Sequence, residues 1–224
     1  MIRYNLKIIF GNRFIYFLVS ALALSLFIVG VNLFSGDAVD EGGVYSTLLL
    51  VGALLLFYPV AYGIQSEKDG RTLEVIFGIP DYRYRVWLMR LIMIYAITLV
   101  ILFAIAWLLK YVFVSYNMVD MIVQVMVPLL FLGLFTFFLS TVLRSGNATA
   151  AVVIILGVFL LILGDEIGES YWNIFFNPYN NPSDVSNVVW QALTTKNRIF
   201  LISGTVVFVL GGLMNLQKRE RLLG

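Results

Sequence analysis

A chain of 224 residues in which 61% are hydrophobic and only 12% charged, with a mean hydropathy of +0.94, cannot hide its apolar surface inside a soluble globule of that size. The net charge of +2 is too small to suggest nucleic acid and reads instead as a membrane-topology signal. With no Cys and no His, the chain has no disulfides, no thiolate metal sites and neither the usual imidazole ligand nor the usual imidazole base.

Crossing roughly 30 Å of hydrocarbon takes about 20 apolar residues in a helix. Six runs answer that description, at about 14–34, 45–64, 87–113, 121–143, 148–163 and 199–216, the fifth being short. Their continuous apolar character favours helices over barrel strands, which would alternate apolar and polar positions. A helix also satisfies its own backbone hydrogen bonds in lipid. The expected fold is therefore an all-α integral membrane protein forming one domain over residues 1–224, with six transmembrane helices.

In chain order, residues 1–13 come first. Ile2, Leu6, Ile9 and Phe10 share a helical face that suits an interfacial helix, with a basic continuation of the first span as the alternative. Basic residues before the first run imitate a cleaved signal, but apolar character continues to Phe34, which predicts a retained span. Pro59 with Gly63, and Pro128 with Gly133, are placed to bend the second and fourth spans.

Between the second and third spans the loop 66–86 is charged and amphipathic. Glu67 and Arg71 stand i,i+4 with the acid first, and Leu73, Ile76 and Phe77 form an apolar patch beside them. Gly78 and Pro80 end this short helix, and Asp81 is expected to cap the next. Such a patch takes either a protein partner or anionic headgroups.

Small and hydroxyl residues gather where the fourth span meets the fifth, including Thr136, Ser140, Thr141, Gly146, Asn147 and Thr149. They suit helix packing, as do Gly204, Gly211 and Gly212 in the last span. The long loop 164–197 clusters Trp172, Ile174, Phe175 and Phe176 ahead of Asn177, Pro178, Asn180, Asn181 and Pro182. Ser183 and Asp184 then offer caps for a stretch in which Val185, Val188, Val189, Ala192 and Leu193 keep helical spacing. Two short helices joined by a turn and dipping into the membrane account for this pattern; an aromatic anchor lying flat on the surface is the alternative.

Orientation follows Lys and Arg. With the amino terminus cytoplasmic, twelve of them fall on that side and only Lys110, Lys196 and Arg198 opposite, so both termini are expected inside a prokaryotic inner or plasma membrane. Lys110, Asp120 and Arg90 are read as lying near span ends, which argues against ion-coupled transport. No phosphate-cradling GxxxxGK[ST] loop is present, and no constellation suggests an enzyme.

The segment SEKDGRTLEVIFGIPDYRYRVWLMRL, through Gly70, Thr72, Leu73, Glu74 and Pro80, resembles ABC transporter permeases of the type-2 class, with Arg71 inserted between the Gly and the Thr. The carboxyl end KNRIFLISGTVVFVLGGLMNLQKRERLLG is similar to that family's last span and basic tail.

The resemblance implies that loop 66–86 is a coupling helix docking on a separate ATPase subunit, which would carry the ATP and Mg while this chain holds no cofactor. Leu73, Ile76 and Phe77 would be the apolar anchors, and Glu67, Arg71, Thr72 and Glu74 would lie along the docking segment, its charges setting register. It further implies an outer re-entrant helical hairpin, with Trp172, Phe175, Phe176, Val185 and Val189 as the outer gate. It also implies pairing with a second permease copy or a related permease, and export. The alternative is an integral-membrane assembly or scaffold protein that recruits a cytoplasmic partner without moving cargo.

Overall fold

The computed structural model describes residues 14–35, 39–69, 78–79, 81–163 and 170–217. The expected interfacial helix at 1–13, the docking residues Arg71, Thr72, Leu73, Glu74, Ile76 and Phe77, and the basic tail from Lys218 lie outside the described residues. The described chain is helical without strands: α1 (Phe14–Ser35), α2 (Glu41–Ala61), α3 (Gly63–Asp69), α4 (Met89–Val112), α5 (Met118–Leu143), α6 (Gly146–Ile162) and α7 (Asn187–Asn215). A π-helical turn, Arg83–Leu88, leads into α4.

The helix ends have local causes. Asp40 is extended, and its carboxylate accepts the Gly43 N–H at 2.8 Å, with Glu41 favourably placed at the positive end of α2. The Asn117 side chain likewise accepts from Val119 and Asp120 to start α5. Arg144, at φ 55°, ends α5 in the left-handed conformation that turns a chain away from a helix, and α6 starts two residues later. Asp81 also has a positive φ of 54°; it serves the next helix through its backbone carbonyl, which accepts from Tyr84 and Arg85, rather than through the expected side-chain cap.

Among the described residues, four helices are long and apolar enough to cross a membrane: Glu41–Asp69, Arg83–Val112, Met118–Leu143 and Asn187–Asn215. Two further apolar helices, Ile15–Val31 and Gly146–Leu160, are shorter. The outward faces are apolar too, as with Val100 on α4, Ile155 and Phe159 on α6, and Ile199 and Val207 on α7. Lipid, which makes no demand for polar side chains, fits these faces.

Helix α5 occupies the centre, packed against α2, α4, α6 and α7, while α1 rests on α2. Buried Tyr45, Leu48, Val51 and Leu55 from α2 meet Leu102, Ile105 and Leu109 from α4 and Met121, Val125 and Leu129 from α5. Glycines let the backbones close in. A Cβ at Gly52 would strike Leu129, one at Gly204 would meet Phe131, and one at Gly212 would meet Phe137. Phe208 of α7 seats among Phe131, Phe135 and Phe138 of α5, with ring centroids 5.0–5.8 Å apart. Gly133, which with Pro128 is placed to bend α5, is where the Tyr95 ring of α4 reaches that helix.

The region before the last span differs from the expectation of two short helices and a turn. The second arm is not separate: α7 runs unbroken from Asn187, with Ser186 rather than Ser183 or Asp184 at its N-cap position and no hydrogen bond from the Ser186 side chain. Helical spacing is not interrupted at Asn197 and Arg198 because both side chains are buried and bonded within the bundle. Residues 170–186 form successive turns in place of the first arm. Asn173 and Asn177 each accept a hydrogen bond from the backbone N–H two residues on, a local geometry that competes with a helix.

Candidate functional site

Chain direction brings the α2–α4 link, the α5–α6 turn and the end of α7 to one end of the bundle, the link end. The segment 170–186 and the starts of α2, α5 and α7 lie at the other, the cap end. Each end carries a polar constellation.

At the link end, Glu67 in the last turn of α3 forms an ion pair with Arg90 Nη2 in the first turn of α4, both side chains being 2–3% exposed. The Trp87 ring lies over the guanidinium, its centroid 4.8 Å from Cζ. Among the described residues, Arg90 Nε and Nη1 and Trp87 Nε1 are buried and find no hydrogen-bond partner. A buried ion pair gives little net stability, although removing one member is costly. Close by, Tyr82 donates its hydroxyl proton to the Leu216 carbonyl at the end of α7. Gln65 Oε1 accepts from the Gly146 N–H at 2.6 Å, and Tyr62 donates to Asn147 at 3.0 Å, so α2 and α3 are bonded to the start of α6. A shallow recess opens between Asp81, Tyr82, Arg83 and Gln217.

Among the seven docking residues named from the sequence, only Glu67 is described. Its buried carboxylate pairs with Arg90, a fastening just ahead of the docking segment.

At the cap end, Arg198 is the hub. Its Nε donates to Gln124 Oε1 of α5 at 2.8 Å, its Nη1 to Asn197 Oδ1 at 2.7 Å and its Nη2 to the Tyr45 hydroxyl of α2 at 3.3 Å. Asn197 Nδ2 donates to the carbonyls of Tyr171 and Asn173, and Tyr45 donates to that of Phe176. Trp190 Nε1 donates to the Pro178 carbonyl at 2.8 Å, and Asn177 Nδ2 to that of Gly42 at 2.9 Å. The turn-rich segment is thereby stitched to α2 and α7, and Tyr179 adds α5 by donating to Asp120 at 2.8 Å. Burial holds the Tyr179 phenol above its ordinary range, helped by the hydrogen bond to Asp120 and the charges of Asp120 and Glu41.

The five gate residues named from the sequence do not converge. Phe176 is 1% exposed and its ring stacks near Trp190 at 4.8 Å, placing it at the centre of the cap. Trp172, half exposed, packs edge-on to Phe200 instead. Phe175 and Val185 are partly buried, and Val189 faces outward.

Sequence reasoning missed Arg198, Asn197, Gln124, Tyr45 and the Glu67–Arg90 pair. The available signal was a lone polar residue, Gln124, inside an apolar run, and an Asn-Arg pair at a helical position.

Among the described residues no group of acidic side chains gathers as metal ligands would. What both constellations do is join helices that are distant in sequence. Comparison with protein-family models, with characterised proteins and with solved structures finds no match.

Proposed function

We propose that this chain is the membrane-embedded permease subunit of an ATP-driven ABC exporter, with α1 and α6 joining the four longer helices to make six crossings and both termini on the cytoplasmic side of the cell membrane. In this reading the link end faces the cytoplasm, and the segment Arg71 to Phe77 is a coupling helix seated on a separate ATPase subunit that binds ATP and Mg. A second permease copy or a related permease completes the pathway, and the cap formed by 170–186 closes its outer mouth. The chain is not itself an enzyme.

One observation carries the reading: the residues on either side of the docking segment, whose sequence holds the Thr72-Leu73-Glu74 pattern, are fastened to the bundle. Before it Glu67 is paired with Arg90 of α4, and after it Tyr82 is bonded to the end of α7. Flanks held in that way pass a push on the segment to two helices, as a coupling element requires.

The test is copurification of an ATPase subunit with the full chain from its native membrane, followed by measurement of hydrolysis. Replacing Leu73 and Phe77 by Asp, or reversing Glu74, is expected to release the ATPase without disturbing membrane insertion. Retention of the ATPase by both variants would refute the docking role. A bound partner lacking cargo-responsive hydrolysis would point to a scaffold.

A further inference from the structure

The Arg198 hub is a buried cation whose partners are all neutral. Its side chain is 9% exposed, and its bonds run to the Gln124 amide, the Asn197 amide and the Tyr45 phenol. Among the described residues no carboxylate forms an ion pair with it. Two acids at this end are engaged elsewhere, Asp40 in capping α2 and Asp120 in accepting from Tyr179. Keeping a charge out of water without a counter-charge is costly, and inside a membrane bundle such a group marks a place where something binds.

The hydrogen-bond inventory says what. A guanidinium carries five N–H groups. Arg198 uses one from each nitrogen, so one N–H on Nη1 and one on Nη2 remain. Gln124 turns its Oε1 to Arg198, and among the described residues both N–H groups of its Nε2 go without an acceptor. The oxygens of the hub are already taken, since Gln124 Oε1, Asn197 Oδ1 and the Tyr45 hydroxyl all receive Arg198. A positive charge and spare donors are left over, on the packed pair α5 and α7.

We propose that Arg198 and Gln124 form an anion site that takes the phosphate group of a ligand entering beneath the cap at 170–186. Spare donors from two helices suit a phosphate, whose terminal oxygens point in several directions, more than the two coplanar oxygens of a carboxylate. The cap lies over the hub through the Asn197 bonds to the Tyr171 and Asn173 carbonyls and the Tyr45 bond to that of Phe176, each of ordinary strength, so it opens at modest cost. This inference does not rest on the ATPase reading, since it concerns only groups within the chain.

The experiment is thermal unfolding of the full chain in neutral detergent, followed by Trp fluorescence. Inorganic phosphate and dihexanoyl phosphatidic acid are titrated separately, with sodium chloride holding the ionic strength constant. Binding to the folded chain is expected to raise the unfolding temperature saturably, and the concentration dependence gives the affinity. Arg198→Lys should weaken it about tenfold, because the charge stays but the fork that grips two oxygens goes. Gln124→Glu supplies the missing counter-charge from within, so it should raise the unfolding temperature without phosphate and abolish the response to phosphate. Tyr45→Phe frees Nη2 from a competing acceptor and should tighten binding about fivefold, roughly one ordinary hydrogen bond.

Saturation by the lipid at far lower concentration than by inorganic phosphate identifies a headgroup as the source; equal or tighter binding of inorganic phosphate identifies a free phosphate. A rise that never saturates and is the same in every variant is the general effect of an excluded salt and overturns the proposal. An undiminished response in Gln124→Glu, or weaker binding in Tyr45→Phe, overturns it too, even where Arg198→Lys fails to fold. Failure to capture an ATPase leaves these readouts unaffected, so the two readings can fail separately.

Discussion

Substituting Ala at Gly133 tests the packing between α4 and α5 with a number that can be worked from the structure. A Cβ there would fall on the Tyr95 hydroxyl, with Cζ of the same ring at 3.0 Å and Leu56 Cδ1 at 3.6 Å. The hydroxyl donates to the Leu130 carbonyl at 3.2 Å, so it cannot retreat without losing that bond. Overpacking of this kind costs about 1–3 kcal/mol. A displaced hydrogen bond adds about 1 kcal/mol, and the better helix propensity of Ala returns about 1 kcal/mol. Gly133→Ala should therefore destabilise by about 1–3 kcal/mol in detergent unfolded by denaturant.

Tyr95→Phe alone should cost about 1 kcal/mol. In that background the oxygen that met the new Cβ is gone and the ring carbon needs to give only slightly. Gly133→Ala should then be neutral or stabilising by up to about 1 kcal/mol, a coupling of about 1–4 kcal/mol in the double-mutant cycle. If Ala costs the same with and without the hydroxyl, the clash is not the cause and the reasoning fails.

Arg90→Met leaves the Glu67 carboxylate buried without that cation and should lower stability by about 3–5 kcal/mol, whereas Glu67→Leu combined with Arg90→Met should come close to wild type in the same unfolding assay; equal loss in both would refute the ion-pair account. Tyr116, in the link between α4 and α5, is buried with its hydroxyl on the Ala106 carbonyl at 2.6 Å, and burial pushes its phenol up to about 12. Because the folded value is raised above the ordinary 10, its contribution is complete below pH 10 and declines as the pH climbs toward 12. Tyr116→Phe should accordingly flatten the fall in melting temperature between about pH 10 and 12, and an unchanged profile would show that other groups control it.

Much of the architecture was legible because length and hydropathy are nearly sufficient for membrane helices. The apolar runs at 45–64, 87–113 and 121–143 correspond to α2 extended by α3, α4 with its π turn, and α5. The packing glycines were legible for a related reason, since Gly204, Gly211 and Gly212 on an apolar helix have few other uses, and all three meet phenyl rings of α5.

Less was legible at the cap. The helical spacing of Val185 to Leu193 is real, but a periodic pattern does not say whether the next residues continue it. Lys196, Asn197 and Arg198 look like a loop when counted as charges and polar groups, yet in the fold the last two are buried donors serving three separated segments. Half of Glu67 was hidden for the same reason: its i,i+4 relation to Arg71 is local and visible in the sequence, whereas its pairing with Arg90 spans 23 residues. Long-range polar pairing leaves no periodic trace, so apolar elements are easier to read from a chain than the bonds that join them.

The placement of α7 bears on how the protein is made. Helix α7 follows the other described helices in the chain, so the carbonyls of the cap segment, the Tyr82 hydroxyl and the exposed phenyl face of α5 all precede their partners during synthesis. Until α7 leaves the ribosome and inserts, those groups depend on water, lipid or the insertion machinery. Chains halted before α7 would accordingly present polar backbone and an unmatched aromatic surface for recognition by membrane proteases.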